Sequence, residues 1–487
     1  MQFLLAIHKK TIVVILFLFG FSVSFAQRES GTGFTSSDKE LELAFNWARS
    51  TALHYQGSAA DPVGPWYESA LPSRFAFCMR DLSHQCIGGE ILGLSPENHN
   101  MLTLFARNIS DSKDWCSYWE INKWSRPAPE DYLNDKEFWY NLPANFDILY
   151  ATWRMYLWTG DKSYIDNPAF TNFQEKTVTD YIERWVLDAD SLLTRPAHPN
   201  APVPFNEENS FHRCRGLPSY SEGVPDLKTG ADLVAALYQG MLTYSAILTE
   251  RGLKEEAVKY AQKAEIYRQK LENEWWDQGQ GRYHSYYSND NNFGQDEGAT
   301  FLLWFDALKD SVRINKTLTH LASQEWNVEN TSYLPFLFYK HGYWDQARKY
   351  ILYLADPSTA RREYPEVSFG VIEGIVQGLM GITPDVRTRT ISTLFKTTGQ
   401  GNAVISRLSI IRTMIDLAHI NNHRSMITNT GKESFKWKAM FKGKYRKAYA
   451  NGVLVPLKNE KDIDGKIIFY TEINVKPGNK ITVNVEN

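Results

Sequence analysis

The sequence predicts a mainly helical protein, built from packed helical hairpins and followed by a small β-sandwich. From about Asp38 to Ile382, apolar residues recur at spacings of three and four, as in amphipathic helices. Short polar turns such as 159–161 and 250–252 join several of these segments, which is typical of antiparallel helical hairpins. After Pro384 the pattern changes to short alternating stretches between Gly, Asn and Pro turns, which predicts strands.

The helical region divides into about a dozen periodic segments. Asp38 stands before the first segment, where a helix-capping residue is expected. Two long stretches without helical period, 111–135 and 189–230, are rich in Pro, Trp, Tyr and charged residues. Long irregular segments inside a compact domain are usually functional, so these two are candidates for the site. The remaining periodic segments fall near 78–94, 98–109, 137–158, 166–188, 230–252, 255–276, 296–309, 313–323, 331–341, 343–354 and 368–381.

The first 26 residues have the pattern of a secretory signal peptide. Lys9 and Lys10 supply positive charge, residues 11–21 form an apolar run, and the small residues of 24–26 precede Gln27. The alternative is a retained anchor helix, which the shortness of the apolar run disfavours. We therefore expect an exported protein, periplasmic or extracellular. Its expected parts are a signal peptide over 1–26, a helical domain over 27–384, and a linker with a β-sandwich over 385–487.

Charge and composition exclude several classes of partner. The 487 residues carry a net charge of -3, which is not the electrostatic pattern of a protein that binds nucleic acid or anionic membranes. The cysteines and histidines show no metal-binding spacing, and no Gly-rich nucleotide motif follows a strand, so we expect no metal and no cofactor. Cys78 and Cys86 could pair or remain buried thiols. Aromatic residues make up 14% of the chain, and such rings either fill cores or stack on sugar faces.

The first candidate segment runs from Trp66 to Gln85. Arg80 and Asp81, followed by His84 and Gln85, place several hydrogen-bonding groups at the start of a predicted helix. A guanidinium donates and a carboxylate accepts, so the pair can hold neighbouring hydroxyl groups of one sugar, with Trp66 as a stacking wall. The alternative is an ion pair that only caps the helix.

The second candidate segment lies in the irregular stretch 111–135 and the residues after it. Trp119 and Trp124 flank Glu120, which suits an aromatic sugar platform with polar tips. Trp139 continues this pattern toward Asp147. Asp147 stands at the start of a helical stretch, so it is either a site residue or a helix cap.

The third and fourth candidate segments supply the carboxyl groups that glycosidic cleavage needs. One carboxyl must donate a proton to the leaving oxygen, and another must activate water or attack the anomeric carbon. Glu222 is the candidate acid, because burial by neighbours such as Tyr220 would raise its pKa. Glu366, just before the last apolar helix, is the candidate base. The alternatives are a solvated loop glutamate at 222 and a rival carboxylate pair at 296–297.

The irregular segment 189–230 contributes two further candidate binding residues. His212 and Arg215 lie between the Pro-rich start of the segment and Tyr220. Both side chains can donate hydrogen bonds to a sugar. We expect them to line the same pocket as Glu222.

The step Met79-Arg80-Asp81, together with about a dozen helices and a small β-module, resembles the six-hairpin glycosidase superfamily. This superfamily includes glucoamylase-like and trehalase-like hydrolases, unsaturated glucuronyl hydrolases and rhamnosidases. The resemblance covers about 38–382 and implies an (α/α)6 barrel of helical hairpins with a C-terminal β-sandwich. It also implies that Arg80 and Asp81 contact the sugar in the first subsite. The Arg-Asp-Glu arrangement of the rhamnosidases is absent.

Three functions remain open on the sequence. The leading hypothesis is a secreted glycoside hydrolase that cleaves oligo- or polysaccharides, with inversion as the superfamily resemblance implies. The second is a polysaccharide lyase that acts on a uronate, in which a Tyr or His abstracts a proton and a cationic group neutralises the acid. The candidates for these roles are His84, His212, Tyr220, Arg213 and Arg215. The third is a glycan-binding protein without activity. All three require the segments starting at Trp66, Trp115, Glu207 and Tyr364 to converge on one cavity.

Overall fold

The computed structural model describes residues 31–200, 208–209, 211, 214–462 and 465–487. These residues group into one compact unit from Gly31 to Asn487. About 41% of the chain is helical and 23% is in strands, so the predicted mainly helical character with a β-module is confirmed. The predicted signal peptide, Glu207 and His212 lie outside the described residues.

The helices follow the predicted periodic segments closely. Asp38 caps the first helix as expected, because its Oδ1 accepts a hydrogen bond from the Leu41 amide at 3.3 Å. One helix begins at Ala144 and not near 137, because Pro143 disfavours helical backbone in the residue before it. The helices are Lys39–His54, Met79–Ile91, Ser95–Arg107, Ala144–Thr159, Ser163–Asp166, Pro168–Val178, Asp180–Trp185, Ala231–Glu250, Lys254–Glu274, Ala299–Trp304, Ser311–Ser323, Val328–Lys340, Trp344–Ala355 and Pro365–Glu373.

Six of the described helices pack in a closed circuit, which we call the helix ring. Each contacts the next, and the last contacts the first; they are Met79–Ile91, Ala144–Thr159, Ala231–Glu250, Ala299–Trp304, Val328–Lys340 and Pro365–Glu373. A second helix packs against each of them. Five of these partners follow their ring helix in sequence, as predicted for helical hairpins, whereas the sixth pair joins the first and last helices of the helical region. In the same order, these partners are Ser95–Arg107, Pro168–Val178, Lys254–Glu274, Ser311–Ser323, Trp344–Ala355 and Lys39–His54.

Glycines bring neighbouring helices of the ring into close contact. A Cβ atom at Gly88 would lie 2.8 Å from the Phe369 carbonyl oxygen, and one at Gly370 would lie 2.5 Å from the Ser332 carbonyl oxygen. Both distances are shorter than a carbon–oxygen contact allows. The ring therefore closes at these two crossings only because no side chain intervenes.

Two antiparallel-rich sheets form the β-sandwich-like module. Strands begin at Thr383, two residues before the boundary at 385 where the sequence predicts a linker. Alternate residues of strands such as Phe435–Lys442 are buried, so each sheet covers the core with one face. The larger sheet has the order Gly33–Ser36, Asn402–Ile410, Thr413–Ile420, Arg424–Asn429, Lys480–Glu486, Lys447–Ala450 and Val453–Val455. The smaller has the order Thr383–Asp385, Thr390–Leu394, Phe435–Lys442, Ile467–Val475 and Lys458–Lys461.

An N-terminal strand that the periodicity does not predict adds to the edge of the larger sheet. Gly33–Ser36 pairs antiparallel with Asn402–Ile410, and Phe34 lies opposite Ile405. Phe34 is buried, with its ring centroid 5.3 Å from that of Phe45 in the first helix. This strand therefore connects the start of the helical region to the C-terminal module.

Short strands lie in the two segments predicted to be irregular and in other connections between helices. They are Ala76–Cys78, Glu120–Asn122, Tyr132–Asn134, Glu137–Phe138, Tyr140–Asn141, Arg215–Leu217, Leu227–Gly230, Trp276–Asp277, Arg282–Tyr283, Tyr286–Ser288 and Phe293–Gly294.

All four cysteines are buried thiols without disulfides. No helix within the described residues combines the length and the apolar character needed to cross a bilayer.

The buried Phe34 ring gives a test of this connection. Phe34→Ala should lower the free energy of unfolding by about 3–5 kcal/mol, because it empties a fully packed site. Leu43→Ala in the first helix is the matched control, since Leu43 is 68% exposed and should change stability by less than about 0.5 kcal/mol. Urea unfolding followed by circular dichroism measures both. Equal stability of the two variants would show that the strand does not hold the chain as described.

Candidate active site

A cavity of about 210 Å³ lies at the N-terminal ends of four ring helices, Met79–Ile91, Ala299–Trp304, Val328–Lys340 and Pro365–Glu373, with loop residues completing its wall. The described part of its lining is strongly acidic, with one guanidinium group, that of Arg80. Tyr220, Phe301 and Tyr333 add aromatic surface. The six carboxyl groups are those of Asp81, Glu222, Asp296, Glu297, Glu329 and Glu366.

Four of these carboxyl groups lie at helix N-termini of the ring. Asp81, Glu329 and Glu366 are in the first turns of their helices, and Glu297 lies two residues before Ala299. The first backbone N–H groups of a helix lack partners within it, and the helix dipole is positive at that end. The ring therefore supplies a favourable field for negative charge at the cavity.

Arg80 lies at the centre of the carboxyl groups. Its Nε is 3.4 Å from Asp81 Oδ1, its Nη2 is 3.4 Å from Glu329 Oε2, and its Nη1 is 4.0 Å from Glu222 Oε1. The guanidinium carbon also lies 5.1 Å from the centroid of the Tyr220 ring. One cation thus links three carboxyl groups from different parts of the chain.

Glu366 lies deep in the cavity, with 4% of its surface exposed. Burial raises its pKa well above the usual value, and the negative charges of Asp81 and Glu329 raise it further. The pKa of Asp81 is raised as well, chiefly by burial. Each of these neighbouring carboxyl groups is therefore harder to ionise than an exposed carboxyl group of the same type.

Glu222 lies at the mouth of the cavity, with 36% of its side chain exposed. Asn141 Nδ2 donates a hydrogen bond to Glu222 Oε1 at 3.1 Å, and Trp139 Nε1 donates to Asn141 Oδ1 at 2.8 Å. Partial burial raises the pKa of Glu222, while Arg80 and Asn141 act in the opposite direction. Trp139, predicted to contact substrate, instead orients the amide that holds Glu222.

A buried hydrogen-bond network holds the segment that carries Glu222. The Tyr220 hydroxyl donates to Asp147, and the Tyr220 amide donates to Asp232 Oδ2 at 2.6 Å. Burial raises the pKa of Asp147 to about 8 and that of Asp232 to about 6. Asp147 is therefore not a helix cap and does not line the cavity; it supports Tyr220 from behind.

His84 forms part of the cavity wall. Its ring stacks on Tyr333 with centroids 3.7 Å apart and meets Trp304 edge-on at 5.3 Å. Its Nε2 lies 3.2 Å from Ser332 Oγ. Burial, and then the charges of Arg154 and Arg80, lower its pKa to about 3, so the imidazole is neutral and a weak base.

Glu329 also lines the cavity, and the sequence did not indicate it. Two side-chain amides nearby hold the carboxyl group of Glu297. Asn330 Nδ2 donates to Glu297 Oε2 at 2.7 Å, and Asn327 Nδ2 donates to the same oxygen at 3.1 Å. Asn327 also caps its helix, because its Oδ1 accepts from the Asn330 amide at 2.8 Å. A capping Asn followed by a glutamate in the first turn is the signal that could have identified this segment.

Trp66 and Gln85, predicted at the site, do not line the cavity. Trp66 is 3% exposed and its Nε1 donates to Asp61 Oδ2 at 2.7 Å, so its ring belongs to the core. Gln85 follows His84 in the same helix but is fully buried. On a helix, successive residues point in directions about 100° apart, which turns Gln85 away from the cavity.

Trp119 and Glu120 are also placed elsewhere. Trp119 is 8% exposed and packs edge-on against Tyr140 at 6.1 Å. Glu120 Oε2 lies 2.9 Å from Arg74 Nη2, and burial followed by the charge of Asp131 raises the pKa of Glu120 to about 9. Glu120 is therefore part of a buried cluster that holds the loop together.

Arg215, another predicted site residue, is not part of the lining. It forms an ion pair with Asp114, and its guanidinium carbon lies 5.1 Å from the Trp185 ring centroid and 5.4 Å from that of Phe138. His212 is outside the described residues. Among the side chains that are described, no group of three His, Cys, Asp or Glu residues is arranged to hold a metal ion.

Three of the four segments expected to converge contribute residues to the cavity lining. Arg80, Asp81 and His84 come from the first segment, Tyr220 and Glu222 from the third, and Glu366 from the fourth. The second segment does not reach the cavity. The rival pair at 296–297 also lines it.

No protein-family model matches the sequence, and no curated protein sequence matches it. Solved structures do match. The alpha-L-rhamnosidase from Dictyoglumus thermophilum has a TM-score of 0.58 at 12% identity, covering 94% of this chain and 51% of its own. A GH78 family rhamnosidase of Bacillus sp. GL1 has a TM-score of 0.54 at 13% identity, covering 80% and 40%. A protein from the human microbiome assigned as a kojibiose phosphorylase has a TM-score of 0.56 at 8% identity, covering 93% and 68%.

These similarities show a shared fold. The chain has the same fold as these solved structures. The resemblance expected from the sequence is therefore confirmed at the level of fold. The chain spans about half the length, or less, of the two rhamnosidases.

The raised pKa of Asp147 predicts a pH-dependent stability. An aspartate that holds its proton up to about pH 8 in the folded state but ionises near pH 4 when unfolded stabilises the protein at low pH. That contribution is lost as the pH rises from about 4 through about 8. Asp147→Asn mimics the protonated form at every pH. The melting temperature of Asp147→Asn minus that of the wild type should therefore increase as the pH rises from 5 to 9.

The same measurement on Asp345→Asn provides the control for this prediction. Asp345 lies in the first turn of Trp344–Ala355, remote from Tyr220 in the chain, so the same Asp→Asn change is made outside the Tyr220 network. A constant difference in melting temperature between the wild type and Asp147→Asn across this pH range would contradict a protonated Asp147.

Proposed function

We propose that this protein is a glycoside hydrolase in which Glu222 is the general acid and Glu366 the general base. The observation that carries the proposal is the single cavity with one carboxyl group at its mouth and another in its interior. We infer that the closed helix ring and its six partner helices form an (α/α)6 barrel. The shared fold with structures named as rhamnosidases supports a carbohydrate substrate.

The positions of the two carboxyl groups support their roles. A sugar held inside the cavity directs its glycosidic bond toward the mouth, so the acid must be at the mouth, where Glu222 lies. Its raised pKa favours the protonated form that an acid needs. Glu366 faces the interior, and the raised pKa makes its carboxylate a stronger base for activating water.

The rest of the lining suits the hydroxyl groups of one neutral sugar. Asp81 and Glu329 can accept hydrogen bonds while Arg80 donates, and Tyr333 and Phe301 offer apolar surface to the sugar ring. The cavity of about 210 Å³ is smaller than the roughly 300–1,000 Å³ of sites that hold drug-sized ligands. It therefore suits a single terminal sugar unit, with the remainder of the substrate outside.

The acidic lining disfavours the lyase hypothesis. A uronate substrate would bring its own negative charge among six carboxyl groups that share one described guanidinium. Of the residues named for that chemistry, the candidate base His84 is weakly basic and the Tyr220 hydroxyl donates to Asp147. Arg215, a candidate for neutralising the uronate carboxyl, is paired with Asp114. Hydrolysis needs no such neutralising group.

The proposed reaction is tested with the purified protein and aryl glycosides of neutral sugars. We expect product masses that include one added water for each bond cleaved, whereas elimination would add none. Proton NMR of the first product should show the anomer opposite to the substrate, since a single displacement by water inverts the anomeric carbon. Retention of configuration would contradict the assignment of Glu366 as a base.

The roles of the carboxyl groups are tested by conservative variants. Glu222→Gln and Glu366→Gln should each lower kcat by about 10²–10⁴-fold, because each removes one proton transfer. Glu222→Gln should be least impaired on substrates with a good leaving group, which does not need the acid. Glu256→Gln, at an exposed position of Lys254–Glu274, is the control and should keep full activity. Full activity in both cavity variants would refute the mechanism.

We also propose that the protein is exported, on the basis of the signal-like pattern before Gln27. Expression of the full chain in a bacterial host should yield a periplasmic or secreted product whose N-terminal residue is Gln27. Protein sequencing of the purified material measures this directly. An intact N-terminus on cytoplasmic material would contradict export.

A further inference from the structure

We propose that an exposed aromatic surface beside the cavity, formed by Phe75, Lys123 and Trp124, binds the outer sugar units of a glycan chain. We call it the Phe75–Trp124 platform. It rests on the proposed function only for its ligand class. The observations that carry it are the exposure of the rings, the rigidity of the loops that hold them, and their connection to the cavity.

Both rings of the platform are unusually exposed for their type. Trp124 is 53% exposed and Phe75 is 47% exposed, whereas Trp66, Trp119 and Phe77 nearby in the sequence are buried. Lys123 Nζ lies 4.0 Å from the Phe75 ring centroid and 5.0 Å from that of Trp124. Two aromatic faces next to an ammonium donor match the apolar faces and hydroxyl groups of sugars.

The loop that carries Phe75 is held in a strained conformation. Phe75 has a φ of 53° and Ser73 a φ of 69°, in the left-handed region that bulky residues rarely adopt. Glu68 Oε1 accepts the Phe75 amide at 2.8 Å, and the Phe75 carbonyl accepts the Lys123 amide at 2.9 Å. Strain of this kind persists where the surrounding structure enforces it, commonly at binding sites.

The turn that carries Trp124 is fixed in a similar way. Asn122 Oδ1 accepts hydrogen bonds from the Trp124 amide at 3.1 Å and from the Arg126 amide at 3.3 Å. The Ser125 amide donates to the Asn122 carbonyl at 2.9 Å. Both rings thus stand on preformed backbone, which lowers the entropy cost of binding.

A short β-ladder connects the platform to the cavity. Ala76–Cys78 pairs with Glu120–Asn122, so Phe75 and Lys123 lie at one end of the ladder and Arg80 follows the other end. Arg80 follows Phe75 by five positions in the chain, which limits their Cα distance to about 17 Å. A chain whose terminal unit occupies the cavity can therefore reach the platform with its next few units.

A second connection runs through the residue that holds the loop. Glu68 accepts the Phe75 amide, and its charge also acts on the nearby Tyr55 hydroxyl. Burial, followed by the charges of Glu68, Glu363 and Glu366, raises the pKa of Tyr55 to about 12. The Glu68 amide donates to the Tyr55 carbonyl at 2.9 Å, and the Tyr55 hydroxyl donates to the carbonyl of Glu363, three residues before Glu366. The loop of the platform and the start of the helix that carries the proposed base therefore meet at Tyr55.

Native electrophoresis in gels that contain soluble xyloglucan, gum arabic or alginate tests the platform without requiring catalysis. The inactive Glu222→Gln protein should be retarded by at least one of these polysaccharides. Adding Trp124→Ala or Phe75→Ala should raise the apparent Kd by about threefold to tenfold for each ring. Tyr353→Ala in the same background is the matched control, since Tyr353 is an aromatic residue that is 51% exposed on Trp344–Ala355.

The outcomes separate the platform from the enzyme proposal. Retardation that Trp124→Ala abolishes, in a protein that cleaves no glycoside, would support the platform and overturn the proposed hydrolase. Cleavage of small aryl glycosides without retardation by any of the three polysaccharides would overturn the platform alone. Equal retardation of Trp124→Ala and Tyr353→Ala would also overturn it. A change of oligomeric state in Trp124→Ala, seen by sedimentation, would assign the surface to a protein partner and contradict the proposal.

Discussion

The close packing of the six ring helices is the constraint on which the site depends. Gly88 and Gly370 allow backbone contacts that any Cβ atom would prevent, and these contacts bring three helices together beside the cavity. Because the ring closes, helices far apart in the chain place their first turns around one cavity. Residues from Arg80 to Glu366 can then act on the same small volume.

This closure creates an electrostatic cost that the same helices offset. Six carboxyl groups around about 210 Å³ repel one another, and burial alone penalises their ionised forms. Arg80 supplies a central positive charge, and the helix N-termini supply partial positive charge at their first turns. The remaining imbalance appears as raised pKa values at Asp81 and Glu366, so these buried carboxyl groups hold their protons more tightly than exposed ones.

Much of the fold could be predicted because helical periodicity is a local property. The spacing of Arg80, Asp81 and His84 on one helix also identified one wall of the cavity before the structure was known. By contrast, the strand Gly33–Ser36 could not be found, since four residues carry no period and their partner strand begins at Asn402. The exposure of a Trp ring is likewise set by tertiary packing, which the local sequence does not show. For this reason the sequence predicts Trp66 at the site, whereas its ring lies in the core.

Several predicted residues that miss the cavity lie one contact behind it, and this pattern has a physical reason. Trp139 orients Asn141, which binds Glu222, and Asp147 accepts the hydroxyl of Tyr220. A polar group that acts in a low-dielectric cavity must itself be held by buried hydrogen bonds, so polar and aromatic residues accumulate around the lining as well as in it. Sequence therefore identifies the segments that build such a site more reliably than the depth of each side chain. The Phe75–Trp124 platform follows from the same distinction: within one segment of Trp residues, packing buries Trp119 and leaves Trp124 exposed at the end of the ladder.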